Sequence, residues 1–326
     1  MSRVVVFNEF GGPEVLQIVE EPVAVPAAGE LRIKIEAIGI NRLDQMMRSG
    51  SYPGPVHLPR SRLGCEGTGL VDAVGSAVEG FSVGDAVIVT AVPNMEVNGT
   101  YAEYAVMPAN AVIARPAGLD ATSAAALWVA YSTAYGALVE KAKMQPGDHV
   151  VITAASSAVG LAAIQIANMI GAIPIAITRH AAKKDILLAA GAAVAVATDR
   201  DDVVDVVREY THGAGADIIL DSVMGPGLVD LAKAAKFGGT LVAVGWLDPR
   251  PAAFPMNWPL TIFGYMSFEH VLDSEVVHRI ATFLSAGIRT GALKPTVDKV
   301  FRLDDIVDAH HYLEQGQQVG KIVVTL

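Results

Sequence analysis

The turn Ala154-Ala155-Ser156-Ser157-Ala158-Val159-Gly160 is the segment whose residue types and spacing most directly invite chemistry. It follows the β-branched run Val150-Val151-Ile152 and leads into a stretch of helical composition. Where a strand turns into a helix, the first helical amides are unpaired and the helix dipole favours an anion, so small residues let a phosphate reach the backbone. A dinucleotide turn usually carries three glycines. Here Ser157 takes the middle place and Gly160 the third, where it permits tight helix–sheet packing. Ser157 leaves room for a pyrophosphate and can donate its hydroxyl to it, beside the amides of Ala158 and Val159. The end of the next strand selects the cofactor: a carboxylate there binds the ribose diol of NAD, whereas cations accept the 2′-phosphate of NADP. This chain has Thr178-Arg179-His180 and then Lys183-Lys184, with no acidic residue, so NADPH is expected. Arg179 is suited to a bidentate phosphate contact, with Lys183 behind it.

These residues need a scaffold, and the chain supplies one. No Asp, Glu, Lys or Arg lies between Asp148 and Arg179, a span that hydropathy alone reads as a membrane helix. The small polar break Ala154–Ser157 and Gly171 divide it instead into strand, turn, helix and strand, a βαβ unit with a buried parallel sheet. Strand-like runs continue this alternation: His149–Thr153, Ile173–Thr178, Ala193–Ala197, Asp217–Leu220, Thr240–Gly245 and Leu260–Tyr265. Six strands with intervening helices describe an α/β, doubly wound domain, with its ligand at the carboxyl ends of the strands. Val223, Gly245, Trp246 and Phe268 stand at or just beyond the ends of the last three strands and join the expected cofactor contacts, although Trp246 and Phe268 equally suit a core. The first third reads as antiparallel β, with Arg3–Phe7, Leu31–Ile38, Gly69–Val74 and Ala86–Thr90 separated by Gly, Pro and Asn turns. The tail offers a helix capped by Ser274 and running to about Ser285, then strands Val297–Arg302 and Lys321–Leu326. Lacking crossover helices, those two strands are expected to fold back onto the N-terminal β domain. The expected domains are 1–122 with 268–326, and 123–267.

Composition narrows the function classes. Of 326 residues, 52% are hydrophobic, 18% charged and only 6% aromatic, the filling of a helix-covered sheet rather than of a disordered chain. One cysteine excludes an intramolecular disulfide framework and a cysteine-rich zinc lobe. A net charge of −10 argues against a nucleic-acid partner. The opening Met1-Ser2-Arg3-Val4-Val5-Val6-Phe7 has no signal-peptide layout, so a cytoplasmic protein without a membrane partner is expected.

Many ordered motifs resemble the medium-chain dehydrogenase/reductase superfamily, and most closely its zinc-free quinone oxidoreductase branch. They include Gly11-Gly12-Pro13-Glu14-Val15-Leu16, Ala37-Ile38-Gly39-Ile40-Asn41 with Asp44, Arg48-Ser49-Gly50-Ser51-Tyr52-Pro53, Gly64-Cys65-Glu66-Gly67-Thr68-Gly69, Gly99-Thr100-Tyr101-Ala102-Glu103-Tyr104, Thr133-Ala134-Tyr135 and Asp221-Ser222-Val223. The resemblance implies a GroES-like β domain beside the Rossmann doubly wound six-stranded parallel sheet, with a cleft between them. Zinc-dependent members hold their catalytic ion at positions that match Asn41, Cys65 and Val129, which cannot form a three-ligand zinc site. No metal is therefore expected, and hydride delivery to a quinone or an alkene conjugated to a carbonyl fits better than alcohol oxidation. The resemblance places Asn41 and Asp44 beside the nicotinamide and Thr133 on the cofactor. Asn41 would bond the substrate carbonyl or the nicotinamide ribose. Asp44, ionised at its ordinary pKa, would fix geometry or water rather than give up a proton. Met46 stands where some relatives carry a tyrosine, and Thr198, beside Asp199, where many have another. Tyr52 and Tyr131 remain to line a substrate pocket.

Other residues invite plainer readings. His310 and His311 would point about 100° apart on a helix and cannot chelate together. Cys65 reads as a small buried hydrophobe without a partner base. The uncharged strand Leu260–Met266 would form a sheet edge that needs covering, so a homodimer through that edge is expected. The expected activity is NADPH-dependent reduction of a small molecule. The alternative is an NADPH-binding sensor or interaction protein with little catalysis.

Overall fold

Sixteen strands form three sheets in the computed structural model, which describes residues 1–326. In chain order β1 (Ser2–Phe7), β2 (Leu16–Glu21), β3 (Glu30–Ile40), β4 (Ser61–Arg62), β5 (Gly67–Val74), β6 (Ala86–Val89), β7 (Tyr104–Pro108) and β8 (Val112–Ala114) come first. Then follow β9 (His149–Ile152), β10 (Ile173–Thr178), β11 (Val194–Ala197), β12 (Ala216–Asp221), β13 (Ala235–Ala243) and β14 (Thr261–Gly264). The chain closes with β15 (Val297–Arg302) and β16 (Lys321–Thr325). By internal contacts it divides into Met1–Val129 with Val271–Ala281 and Pro295–Leu326, and Ala130–His270 with Thr282–Lys294.

The first unit is a β structure. Its larger sheet runs β15-β16-β3-β5-β6-β8, with β7 also on β3, and a smaller sheet is β2-β1-β4. β3 shows how the sequence makes its strand. Leu31, Ile33 and Ile35 are buried while Arg32, Lys34 and Glu36 turn outward, the period of two that a half-covered sheet requires. From Ala37 to Ile40 every residue is buried, so β3 delivers Asn41 out of the densest part of the unit.

The tail corrects one expectation. β15 and β16 do return to the N-terminal sheet, where β16 pairs antiparallel with β3. They do not lack a crossover, however: they run parallel, joined by the helix Ile306–Gln315. The signal was present in Ile306, Ala309 and Leu313, a helical stripe that is buried here. The helix Ser274–Thr290 is also longer than expected and is capped by Asp273 rather than Ser274. The Asp273 Oδ1 accepts the amides of Glu275 at 2.9 Å and Val276 at 3.3 Å.

The second unit is a six-stranded parallel sheet in the order β11-β10-β9-β12-β13-β14. Its core joins Val151, Ile175, Val196, Ile219 and Leu241 from five neighbouring strands. The order reverses between β9 and β12, the switch point where such sheets take their ligands. The uncharged run 149–178 thus becomes β9, a turn, the helix Ala158–Ile170 and β10, and no helix is long and apolar enough to cross a membrane. β14 is a sheet edge, with Phe263 exposed on it.

Candidate active site

In the second unit the turn after β9 is a backbone cradle. Ser157 caps the helix Ala158–Ile170, its Oγ accepting the Gly160 amide at 3.1 Å, which leaves its own proton for a ligand. The amides of Ala158 and Val159 are first-turn donors that helix geometry leaves unpaired. Gly160 is needed for space: a Cβ there would lie 2.6 Å from the Ala155 backbone. The Ala155 amide bonds Ile177 O at 3.0 Å, tying the turn to the end of β10.

That end holds the expected cations, and the structure sorts them. Lys184 is engaged by Asp201 at 2.8 Å, whereas the Lys183 Nζ reaches back to the Ser156 Oγ at 3.3 Å and so lies over the turn. Thr178 is buried and Arg179 exposed. Asp199 serves the connection itself, accepting the Ala181 amide at 3.2 Å beside the His180 ring. Val223, Gly245 and Trp246 are brought together by two zipped turns. Ser222 O and Val223 O accept the amides of Leu247 and Asp248 at 3.1 and 3.0 Å. Buried Asp221 braces them, taking the Thr153 hydroxyl at 2.7 Å and the amides of Val223 and Met224 at 2.9 and 3.0 Å. Trp246 is about half exposed, and Phe268 opens the short helix Phe268–Val271. Thr133 lies in the helix Trp128–Tyr135, half-buried. Tyr131 is buried instead of lining a pocket, and its hydroxyl is spent on Gln165 at 2.8 Å.

The first unit gathers a different kind of site. The pairs Ile322–Ile40 and Val323–Gly39 set the register of β16 on β3, so Lys321 falls opposite Asn41. Glu66 immediately precedes β5. The Lys321 ammonium pairs with the Glu66 Oε1 and donates to the Asn41 Oδ1 at 2.6 Å, with side chains only 3% and 1% exposed for the lysine and glutamate. The Asn41 Nδ2 stands 2.8 Å from the Glu66 Oε1, 3.2 Å from the Cys65 Sγ and 3.3 Å from Gly39 O. The second glutamate oxygen accepts the Val129 amide at 3.0 Å. Gly39 makes this possible, since a Cβ there would meet the Glu66 Oε1 and the Lys321 Cε at 2.5 Å.

Asp44 lies one shell deeper, accepting the amides of Asn41 at 2.8 Å and Gly64 at 3.1 Å. It does fix local geometry, but not at an ordinary pKa. Burial pushes its carboxyl up to about 7, against the Asn41 amide, Lys321 and the Tyr101 hydroxyl, and with help from Glu66. The Tyr101 hydroxyl also stands 3.4 Å from the Nε2 of buried His310, whose pKa burial lowers to about 3, with Arg48 and His311 adding to the shift. His311 points elsewhere, to Glu14 at 2.9 Å. Burial, then Asp44 and Glu66, hold the Cys65 thiol well above its usual range. The Tyr52 phenol is raised by burial and by its neighbours Cys65 and Glu96.

In the sequence Glu66 stands out only within the motif Gly64–Gly69 and Lys321 only as the start of a tail strand, and nothing there pairs the two. The available signal was a lysine opening the otherwise apolar run Ile322-Val323-Val324. Cys65 and Asn41 touch each other, Val129 contributes only its amide, and an ammonium is seated beside them. No three His, Cys, Asp or Glu side chains gather to hold a metal ion.

A family described as alcohol dehydrogenase GroES-like domain matches residues 27–117, and one described as zinc-binding dehydrogenase matches residues 190–324. The donor set above does not fit the zinc of that description. The chain is 31% identical to a quinone oxidoreductase of Lama guanicoe, covering 100% of this chain and 98% of that protein. It superposes on the quinone oxidoreductase of Pseudomonas syringae pv. tomato with a TM-score of 0.92 at 26% identity, and 100% of each chain is covered. Against the Escherichia coli quinone oxidoreductase complexed with NADPH the TM-score is 0.91 at 27% identity, again over 100% of both chains.

Proposed function

The chain belongs to the quinone oxidoreductase-like branch of the medium-chain dehydrogenase/reductase superfamily, and from that premise we propose that it reduces quinones or α,β-unsaturated carbonyls with NADPH, without zinc. Its class is that of an NAD(P)H-dependent oxidoreductase. The observation that carries the cofactor reading is the turn of the second unit, where a serine-capped helix start, the space kept by Gly160 and the reach of Lys183 to Ser156 coincide. Ser157 and the amides of Ala158 and Val159 hold the pyrophosphate, Lys183 and Arg179 take the 2′-phosphate, and Thr178, Val223, Gly245, Trp246, Phe268 and Thr133 shape the rest. When bound, NADPH supplies the hydride.

In the first unit Asn41 serves the reacting end of the cofactor, Asp44 holds Asn41 and Gly64 in place, and Tyr52 lines the acceptor site. Catalysis rests on positioning and exclusion of water, with solvent giving the proton. The exposed edge strand β14, with Phe263 on it and exposed Met266 just beyond it, supports a homodimer through this edge, and the cytoplasm is its proposed compartment. Steady-state oxidation of NADPH against a panel of quinones and enones tests the activity. Turnover with at least one such acceptor is expected, and tight NADPH binding with no turnover on any of them overturns it in favour of a binding protein. Sedimentation at micromolar concentration tests the dimer, which a purely monomeric species refutes.

A further inference from the structure

We propose that Lys321 is a positioning residue for this reaction: with Glu66 as its counter-ion, its ammonium locks the Asn41 amide so that Asn41 serves only as a hydrogen-bond acceptor. This rests on the reductase reading above. A side-chain amide carries two N–H donors and two oxygen lone pairs. Both donors of Asn41 are already outnumbered by the Glu66 Oε1, the Cys65 Sγ and Gly39 O. Its oxygen accepts from Lys321 at 2.6 Å and keeps one lone pair. Flipping the amide would set its NH₂ against an ammonium and its oxygen against a carboxylate, two repulsive contacts in place of two favourable ones. The orientation is therefore enforced by charge rather than by shape.

The pair is built for this place. A lone buried ammonium would be costly, and Glu66 offsets it. Gly39 gives both side chains passage over β3, and the Val129 amide fixes the remaining glutamate oxygen. What Asn41 can still bind is a hydroxyl, such as a ribose hydroxyl of the dinucleotide. The carbonyl oxygen of a quinone or enone is itself an acceptor and finds no donor in Asn41. Loss of Lys321 should thus weaken the cofactor and spare the acceptor.

The test uses the full-length protein with both charges of the pair neutralised, Lys321→Met with Glu66→Gln, so that no unpaired charge remains to unfold it. NADPH dissociation is read by fluorescence titration, and KM and kcat are read with one quinone. The dissociation constant and KM for NADPH are expected to rise about tenfold, one hydrogen bond's worth, with the quinone KM within about twofold of the parent. In a cycle with Asn41→Ala, the charge-pair substitutions should add nothing further for NADPH. Unchanged NADPH affinity, a loss confined to the quinone KM, or strict additivity with Asn41→Ala would each overturn the proposal. Failure of the parent protein to reduce any acceptor would sink the reductase reading, while the NADPH titration would still judge Lys321.

Discussion

The two candidate sites solve the problem of holding polar groups in opposite ways. The turn of the second unit uses backbone amides and one serine from a single stretch, 154–160, with a lysine reaching in from residue 183. The cluster of the first unit draws Asn41, Asp44, Glu66, Tyr101, Val129, His310 and Lys321 from across the chain and buries opposite charges together. The first arrangement costs little to leave empty, because its donors can face water. The second must be complete to be stable, because each buried group depends on another.

The sharpest contrast is between the two lysines. Lys321→Met should cost about 3–5 kcal/mol, since it leaves the Glu66 carboxylate buried and unpaired. Lys183→Met should change stability by no more than about 0.5 kcal/mol. Urea denaturation of both variants measures the difference, and equal losses would erase the distinction drawn between the sites. The turn has its own vulnerable point in Gly160→Ala, where the new methyl meets the Ala155 backbone. About 1–3 kcal/mol of overpacking is expected, together with a loss of NADPH affinity of at least about tenfold. Calorimetry showing intact binding would remove the turn from the cofactor site.

The buried cluster should also be visible in the pH dependence of stability. Asp44 titrates near 7 when folded against an ordinary 3.8, so from about pH 4 to 7 the folded state holds a proton that the unfolded chain has released, and stability falls as pH rises. His310 titrates near 3 against an ordinary 6.5, so from about pH 3 to 6.5 the unfolded chain holds the extra proton, and stability rises with pH. Each slope approaches about 1.4 kcal/mol per pH unit and the two oppose each other over most of that range. Unfolding the parent at a series of pH values should therefore give a shallow profile. His310→Leu should leave a stability that declines towards neutral pH, and Asp44→Asn one that climbs. Identical slopes in both variants would mean that neither group is buried as described. The smallest effect expected is on selectivity: Lys183→Met should weaken NADPH about tenfold while leaving NADH unchanged, a ratio that parallel titrations read directly.

The contrast also explains what could be read in advance. The parallel sheet, its turn and Gly160 are local, written in strand-turn-helix order, and so the cradle was legible from 149–178 alone. The first unit's cluster depends on register. The return of the tail strands to the N-terminal β domain was legible, but nothing near Lys321 in sequence sets the register of β16 on β3 that brings it opposite Asn41. Asp44 was recognisable as a group that fixes geometry, but its pKa depends on burial beneath Tyr101 and Gly64, and composition cannot express burial. The lone cysteine and the Asn41, Cys65 and Val129 set were legible, yet they gave no hint that an ammonium would sit beside them.

The first unit is expected to work with its internal lysine–glutamate pair and without a metal. Dialysis against a strong chelator, followed by elemental analysis and NADPH oxidation with a quinone, tests it most directly. No stoichiometric zinc and undiminished turnover after dialysis are expected. Turnover that disappears with the chelator and returns on adding zinc would contradict it.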